Sequence, residues 1–167
     1  MSLTPFPHGI TSMGIPVTGG YIPPIIGTYY HVCPGLSTIV NSQGKQVIGS
    51  SSNDGLSPES PLASIETAYG KCTSGAGDGI IVWSYGTTTA ACTSYLSSSL
   101  TWSKHGITVV GVSSGATYNS RARISQLSTA TTYSLLNVTG NNNLFMNLSF
   151  VNGSDLSDAQ ITAVKLS

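Results

Sequence analysis

The chain has 167 residues and a formal net charge of zero, from six basic and six acidic side chains. Charged residues make up 7% of it, against about 25% in an ordinary soluble domain, and 27 Ser and 19 Thr take their place. This excludes the basic stripe that a nucleic-acid binder needs and the charged tail of a disordered segment. No apolar run approaches the roughly 20 residues of a membrane-spanning helix.

Hydrophobic residues at 40% and a mean hydropathy of +0.15 support one folded domain with its own core. The opening Met1–Ser12 has neither a basic region nor an apolar segment, so no secretory signal is expected there. Cys33, Cys72 and Cys92 are odd in number and far apart. They form no CxxC or Cys/His cluster, so buried thiols are expected and neither zinc nor a disulfide framework is indicated.

Residues 1–28 read as an extended arm. Pro5, Pro7, Pro16, Pro23 and Pro24, with Gly9, Gly14, Gly19 and Gly20, interrupt any helix or long central strand. The arm is nevertheless apolar through Phe6, Ile10, Met13, Ile15, Val17 and Tyr21. Left in water it would be costly, so it packs along its own domain or on a partner.

Residues 29–79 read as an entry strand, a loop and a capping helix. Tyr29–Cys33 has strand composition. A polar loop follows, from Asn41 to Ser60. In Pro61–Cys72, the residues Leu62, Ile65, Ala68, Tyr69 and Cys72 share one helical face. Ser60 suits an N-cap and Pro61 a first helical position. Gly75–Gly79 reads as a turn; it lacks the Lys-Ser/Thr of a phosphate loop.

Residues 80–167 read as recurring short strands. The runs are Ile80–Trp83, Ile107–Val112, Ala122–Ser125, Tyr133–Val138, Leu144–Phe150 and Ala163–Leu166. Many short strands suit a sandwich, a barrel or a solenoid. Asn and hydroxyl residues at the corners, with Asn137, Asn147 and Asn152 as candidates, favour a parallel β-solenoid. The run ending at Ser167 reads as mid-coil, so a partner or further chain is expected to cover that edge.

The loop Asn53-Asp54-Gly55-Leu56-Ser57-Pro58-Glu59-Ser60-Pro61-Leu62 and the strand Gly77-Asp78-Gly79-Ile80-Ile81-Val82 resemble the opening of pectate-lyase-like right-handed β-helices. There such a loop and a short helix cap the first coil. The resemblance spans about residues 29–153 and implies a mainly β fold, a short right-handed parallel β-helix with one capping helix. Asn53, Asp54, Gly55, Pro58 and Pro61 would be its capping loop. Phe6–Pro16 is similar to the opening of virion structural proteins of tailed bacteriophages. That implies a capsid decoration (cement) protein, a head fibre, or the particle-proximal part of a tail fibre or tailspike, commonly homotrimeric, assembled in the host cytoplasm and bound to other virion proteins such as the major capsid protein.

The chemistry-bearing residues point away from catalysis. Glycoside cleavage needs two carboxylates about 5 to 9.5 Å apart, yet Asp54, Glu59, Glu66, Asp78, Asp155 and Asp158 all fall outside the strand runs. Asp54 suits an Asx turn. Asp155 and Asp158 form either a weak Ca²⁺ loop or a solvated one. His8, His31 and His105 sit in no catalytic motif. Arg121 and Arg123 share one strand face and could meet a partner's carboxylate, or simply be exposed. Asn137, Asn147 and Asn152 match glycosylation sequons that a chain without a secretory signal would not use. The Tyr and Trp residues could form a glycan-binding face or serve core and interface. No cofactor and no metal are expected. The reading is a non-enzymatic virion structural protein held through its arm, with the front part of a polysaccharide-binding or polysaccharide-degrading tailspike as the alternative.

Overall fold

The computed structural model describes residues 11–12, 15–16, 26–34, 39–40, 46–84, 93–113, 122–126, 133–151 and 164–166. The fold is mainly β. Two short antiparallel pairs come early: β1 (Thr11–Ser12) with β2 (Ile15–Pro16), and β4 (Ile39–Val40) with β5 (Gln46–Val47). All other strand pairs among the described residues are parallel.

The parallel strands follow a rotation. After β3 (Tyr29–Val32) and helix α1 (Ile65–Lys71), the chain runs β6 (Gly79–Ser84), β7 (Thr93–Leu96), β8 (Leu100–Trp102). It then runs β9 (Thr108–Ser113), β10 (Ala122–Gln126), β11 (Leu136–Val138), and finally β12 (Leu144–Met146), β13 (Leu148–Val151), β14 (Val164–Leu166). Every third strand returns to the same sheet. The sheets are therefore β3-β6-β9-β12, β7-β10-β13 and β8-β11-β14.

Alternation along each strand sends one set of side chains inward. Tyr30, Ile80, Val109 and Phe145 lie in register across the four-stranded sheet. Ile124 lies between Ser94 and Phe150, and Leu136 between Leu100 and Val164. These inward rows, with Trp102, form one continuous core. An aromatic column runs through it: Tyr69 of α1 lies 4.2 Å from Trp102, which meets Phe145 edge-on at 5.2 Å, and Phe145 meets Phe150 at 6.0 Å. Gly111 on β9 is closely approached: a Cβ there would strike the Asn147 carbonyl oxygen and lie 2.7 Å from the Ala122 methyl.

Three expectations change. The helix starts later than Ser60–Pro61: its N-cap is Ser64, whose hydroxyl accepts from the Thr67 amide at 3.2 Å. Leu62 is recruited by strand β3 instead, and Pro61 by the loop before it. Leu62 forms a parallel bridge with Val32, and the Pro61 carbonyl accepts from Ser50 N–H and Asn53 Nδ2. All five residues of the expected helical face are still buried. Second, Leu144–Phe150 is not one strand. Asn147 adopts a left-handed φ of 52° and its Nδ2 donates to the Gly111 carbonyl at 2.7 Å, which makes the corner between β12 and β13. Third, Asn137 lies within β11 and is not a corner; Asn152 lies outside the described residues.

Trp102→Ala is expected to lower the unfolding free energy by about 3–5 kcal/mol, because a fully buried indole leaves a cavity the stacked rows cannot close. Urea denaturation followed by circular dichroism measures this.

Candidate functional site: the cap on the first coil

An exposed sheet edge is a row of unpaired donors and acceptors. At the β3 edge that row is filled by the loop that resembles a capping loop. His31 N–H donates to the Gly55 carbonyl at 2.7 Å, Leu62 N–H to the His31 carbonyl at 2.8 Å, and Cys33 N–H to the Leu62 carbonyl at 2.9 Å. The loop holds its own shape. Asn53 Nδ2 donates to the Pro61 carbonyl at 2.7 Å, and Gly55 N–H to the Ser60 carbonyl at 3.0 Å. Gly55 has a φ of 77°, and a Cβ there would lie 2.7 Å from Leu62, so only glycine fits. Asp54 accepts from Leu56 N–H at 3.1 Å, an Asx turn, and that bond holds its exposed carboxyl below the usual range. Pro61 is buried and Pro58 half-buried.

A second tie fixes the chain entering β3. Asp78 is 4% exposed, just before β6. Its Oδ1 accepts from Thr28 N–H and its Oδ2 from Thr73 N–H, both at 2.7 Å. One carboxylate thus joins the end of the arm, the segment after α1 and the start of the coils. Sequence reasoning placed Asp78 only in a turn; nothing local distinguishes it from a solvated Asp.

A third tie holds the helix. The Lys104 ammonium donates to the carbonyls of Tyr69 (2.6 Å), Gly70 (3.0 Å) and Cys72 (2.6 Å), and lies 4.8 Å from the Tyr69 ring centroid. A cation at a helix C-terminus satisfies its orphan carbonyls and opposes its dipole. In return, the Tyr69 hydroxyl accepts from the Ser103 and Lys104 amides at 2.8 and 2.9 Å.

On the outer face of the four-stranded sheet, Trp83 Nε1 donates to His31 Nδ1 at 2.9 Å, with the rings stacked 5.9 Å apart. Ile81 and Trp83 form a second apolar cluster with Tyr29 and Val112. Burial lowers His31 to about 4, so its imidazole is neutral at pH 7.

The arm candidates Phe6, Ile10, Met13, Val17 and Tyr21 lie outside the described residues; Ile15 is described only as a backbone partner of Ser12. Cys92, Arg121, Asp155 and Asp158 are likewise outside them. Cys33 and Cys72 are buried, and burial pushes Cys72 up to about 12, which keeps it protonated. The described acids Asp54, Glu59, Glu66 and Asp78 lie in loops or on α1, none on a strand. Among the described residues no group of His, Cys, Asp and Glu could hold a metal ion. Nor do the described aromatics form one face. Tyr30, Trp102 and Tyr133 belong to the core, Tyr29 and Trp83 to the outer cluster, and Tyr95 is exposed on β7. Comparison with protein-family models, curated proteins and solved structures returned no match.

Asp78→Ala strips two backbone donors of their acceptor and is expected to cost about 3 kcal/mol, with Asp78→Asn costing less. Lys104→Met keeps the aliphatic stem and loses the ammonium; about 2 kcal/mol is expected, with α1 loosening before the coils. Denaturation midpoints give the costs, and hydrogen exchange gives the order.

Proposed function

We propose that this chain is a non-enzymatic structural subunit of a bacteriophage virion, most simply a capsid decoration or cement protein or a head fibre. Its strands would wind as a short right-handed parallel β-helix, the hand almost all parallel crossovers take. It would assemble as a homotrimer, with residues 1–28 as the arm that seats it on the major capsid protein or on neighbouring copies.

The observation that carries this reading is the use made of the polar groups. The buried carboxylate Asp78 is spent on two backbone amides, Asp54 on a turn, and Lys104 on three helix carbonyls. These groups hold a scaffold together and leave no described pair of carboxylates facing a common ligand. A scaffold whose charges are used internally fits a part that is built into a particle.

Deleting residues 2–20 is expected to abolish incorporation into particles while leaving the parallel sheets folded by circular dichroism. Normal incorporation of that deletion would overturn the arm's role. A particle map that placed the protein at the tail tip, together with glycan-dependent attachment, would favour the tailspike reading instead.

A further inference from the structure

His31 occupies a singular position. Its backbone makes two of the three amide bonds that attach the capping loop to β3: its N–H to Gly55 and its carbonyl from Leu62. Its side chain makes the bond to Trp83 on β6, 52 residues away. It is 1% exposed. Closed cap and neutral imidazole are therefore tied to one residue.

The geometry fixes the protonation state. Trp83 Nε1–H is a donor only, so His31 Nδ1 must present its lone pair. A proton on Nδ1 would set N–H against N–H across 2.9 Å and leave an imidazolium in an apolar cluster. Burial, with no charged partner, is what shifts its titration. Among the described residues, the apolar groups packed in this cluster are Tyr29 on β3, Ile81 and Trp83 on β6 and Val112 on β9, and burial lowers the ring's basicity. The charged loop residues Asp54 and Glu59 are exposed.

We propose that the His31–Trp83 pair is an acid-sensitive latch, and that protonation of His31 opens β3 and the capping loop while the coils beyond them stay paired. The coils are expected to persist because β6 and β9 share a six-residue register that does not involve His31. β3 adds only four pairs at the sheet edge.

The sign follows from linkage. The opened state titrates at the ordinary value, about 6.5, and the closed state at about 4. Between them the opened state binds more protons, so closure is fully favoured above about 6.5 and weakens as pH falls toward 4. At pH 5 the opening constant is expected to be up to about 30-fold larger than at pH 7.5.

Hydrogen exchange on the full chain, corrected for intrinsic rates, tests this at pH 7.5 and pH 5. The expected result is lost protection at the amides of His31, Cys33 and Leu62, with residues 109–111 unchanged. The Trp83 indole N–H signal should shift over the same range. His31→Asn places an amide oxygen near Nδ1 without a titratable group, and should abolish the pH dependence. Trp83→Phe removes the donor while keeping an aromatic ring, so it should loosen the cap amides at pH 7.5 as well. Equal acid sensitivity in His31→Asn overturns the latch. So does simultaneous loss of protection in cap and coils, or a Trp83 shift with the cap amides still protected, which would mean the ring swings out alone. None of these outcomes bears on whether the chain belongs to a virion.

Discussion

A strand in a parallel stack has two edges, and every edge needs a partner. The rotation of β6 to β14 through three sheets answers this for the inner strands, since each coil supplies donors and acceptors to the next. It cannot answer it for the first coil. The loop of residues 50–62 meets that need by offering carbonyls and amides from Gly55 and Leu62 to β3. The constraint explains why a proline-containing segment, unsuited to a central strand, lies there. Pro61 needs to offer only its carbonyl, which it gives to Ser50 and Asn53.

The same constraint explains the three long-range ties. An end coil receives pairing from one side only, so its stability must come from elsewhere. Asp78 draws in Thr28 and Thr73, Lys104 and Tyr69 lock the helix beneath the coils, and Trp83 with His31 pins β3 from outside. Each uses a polar group whose partners are fixed backbone or a single ring, and a polar group used this way is not free for a ligand.

Much of this was legible in the sequence, and the failures share a cause. The apolar runs of β6, β9 and β10 announce themselves, as do the buried positions of α1. Strands β7 and β8, Thr93–Leu96 and Leu100–Trp102, do not. They are short and hydroxyl-rich, and only the register with β10 and β11 makes them strands. The helix start misled because Ser60–Pro61 is a sound local signal that a tertiary demand overrode. Asp78, Lys104 and His31 owe their roles to Thr28, Tyr69 and Trp83, which lie 50, 35 and 52 residues away in sequence. The loop of residues 53–61 is shaped by local chemistry: an Asx turn at Asp54, a left-handed Gly55 and an Asn53 that bonds within the loop.

The scarcity of charge follows from the stacking. In an in-register parallel stack the outward residue of one coil sits beside its counterpart in the next, about 4.8 Å away. Like charges at that spacing repel, and repeating coils would multiply the repulsion. Hydroxyls and amides stack without that cost. The two charged residues on described strands obey the rule: Arg123 lies between Thr93 and Ser149, and Lys165 follows Asn137 and Thr101. Ser and Thr therefore do on this surface what Lys and Glu do on an ordinary domain, which keeps the outer face polar without stacking charge on charge. A 7% charge content suits this stacking. A formal net charge of zero gives little electrostatic repulsion between copies of the chain.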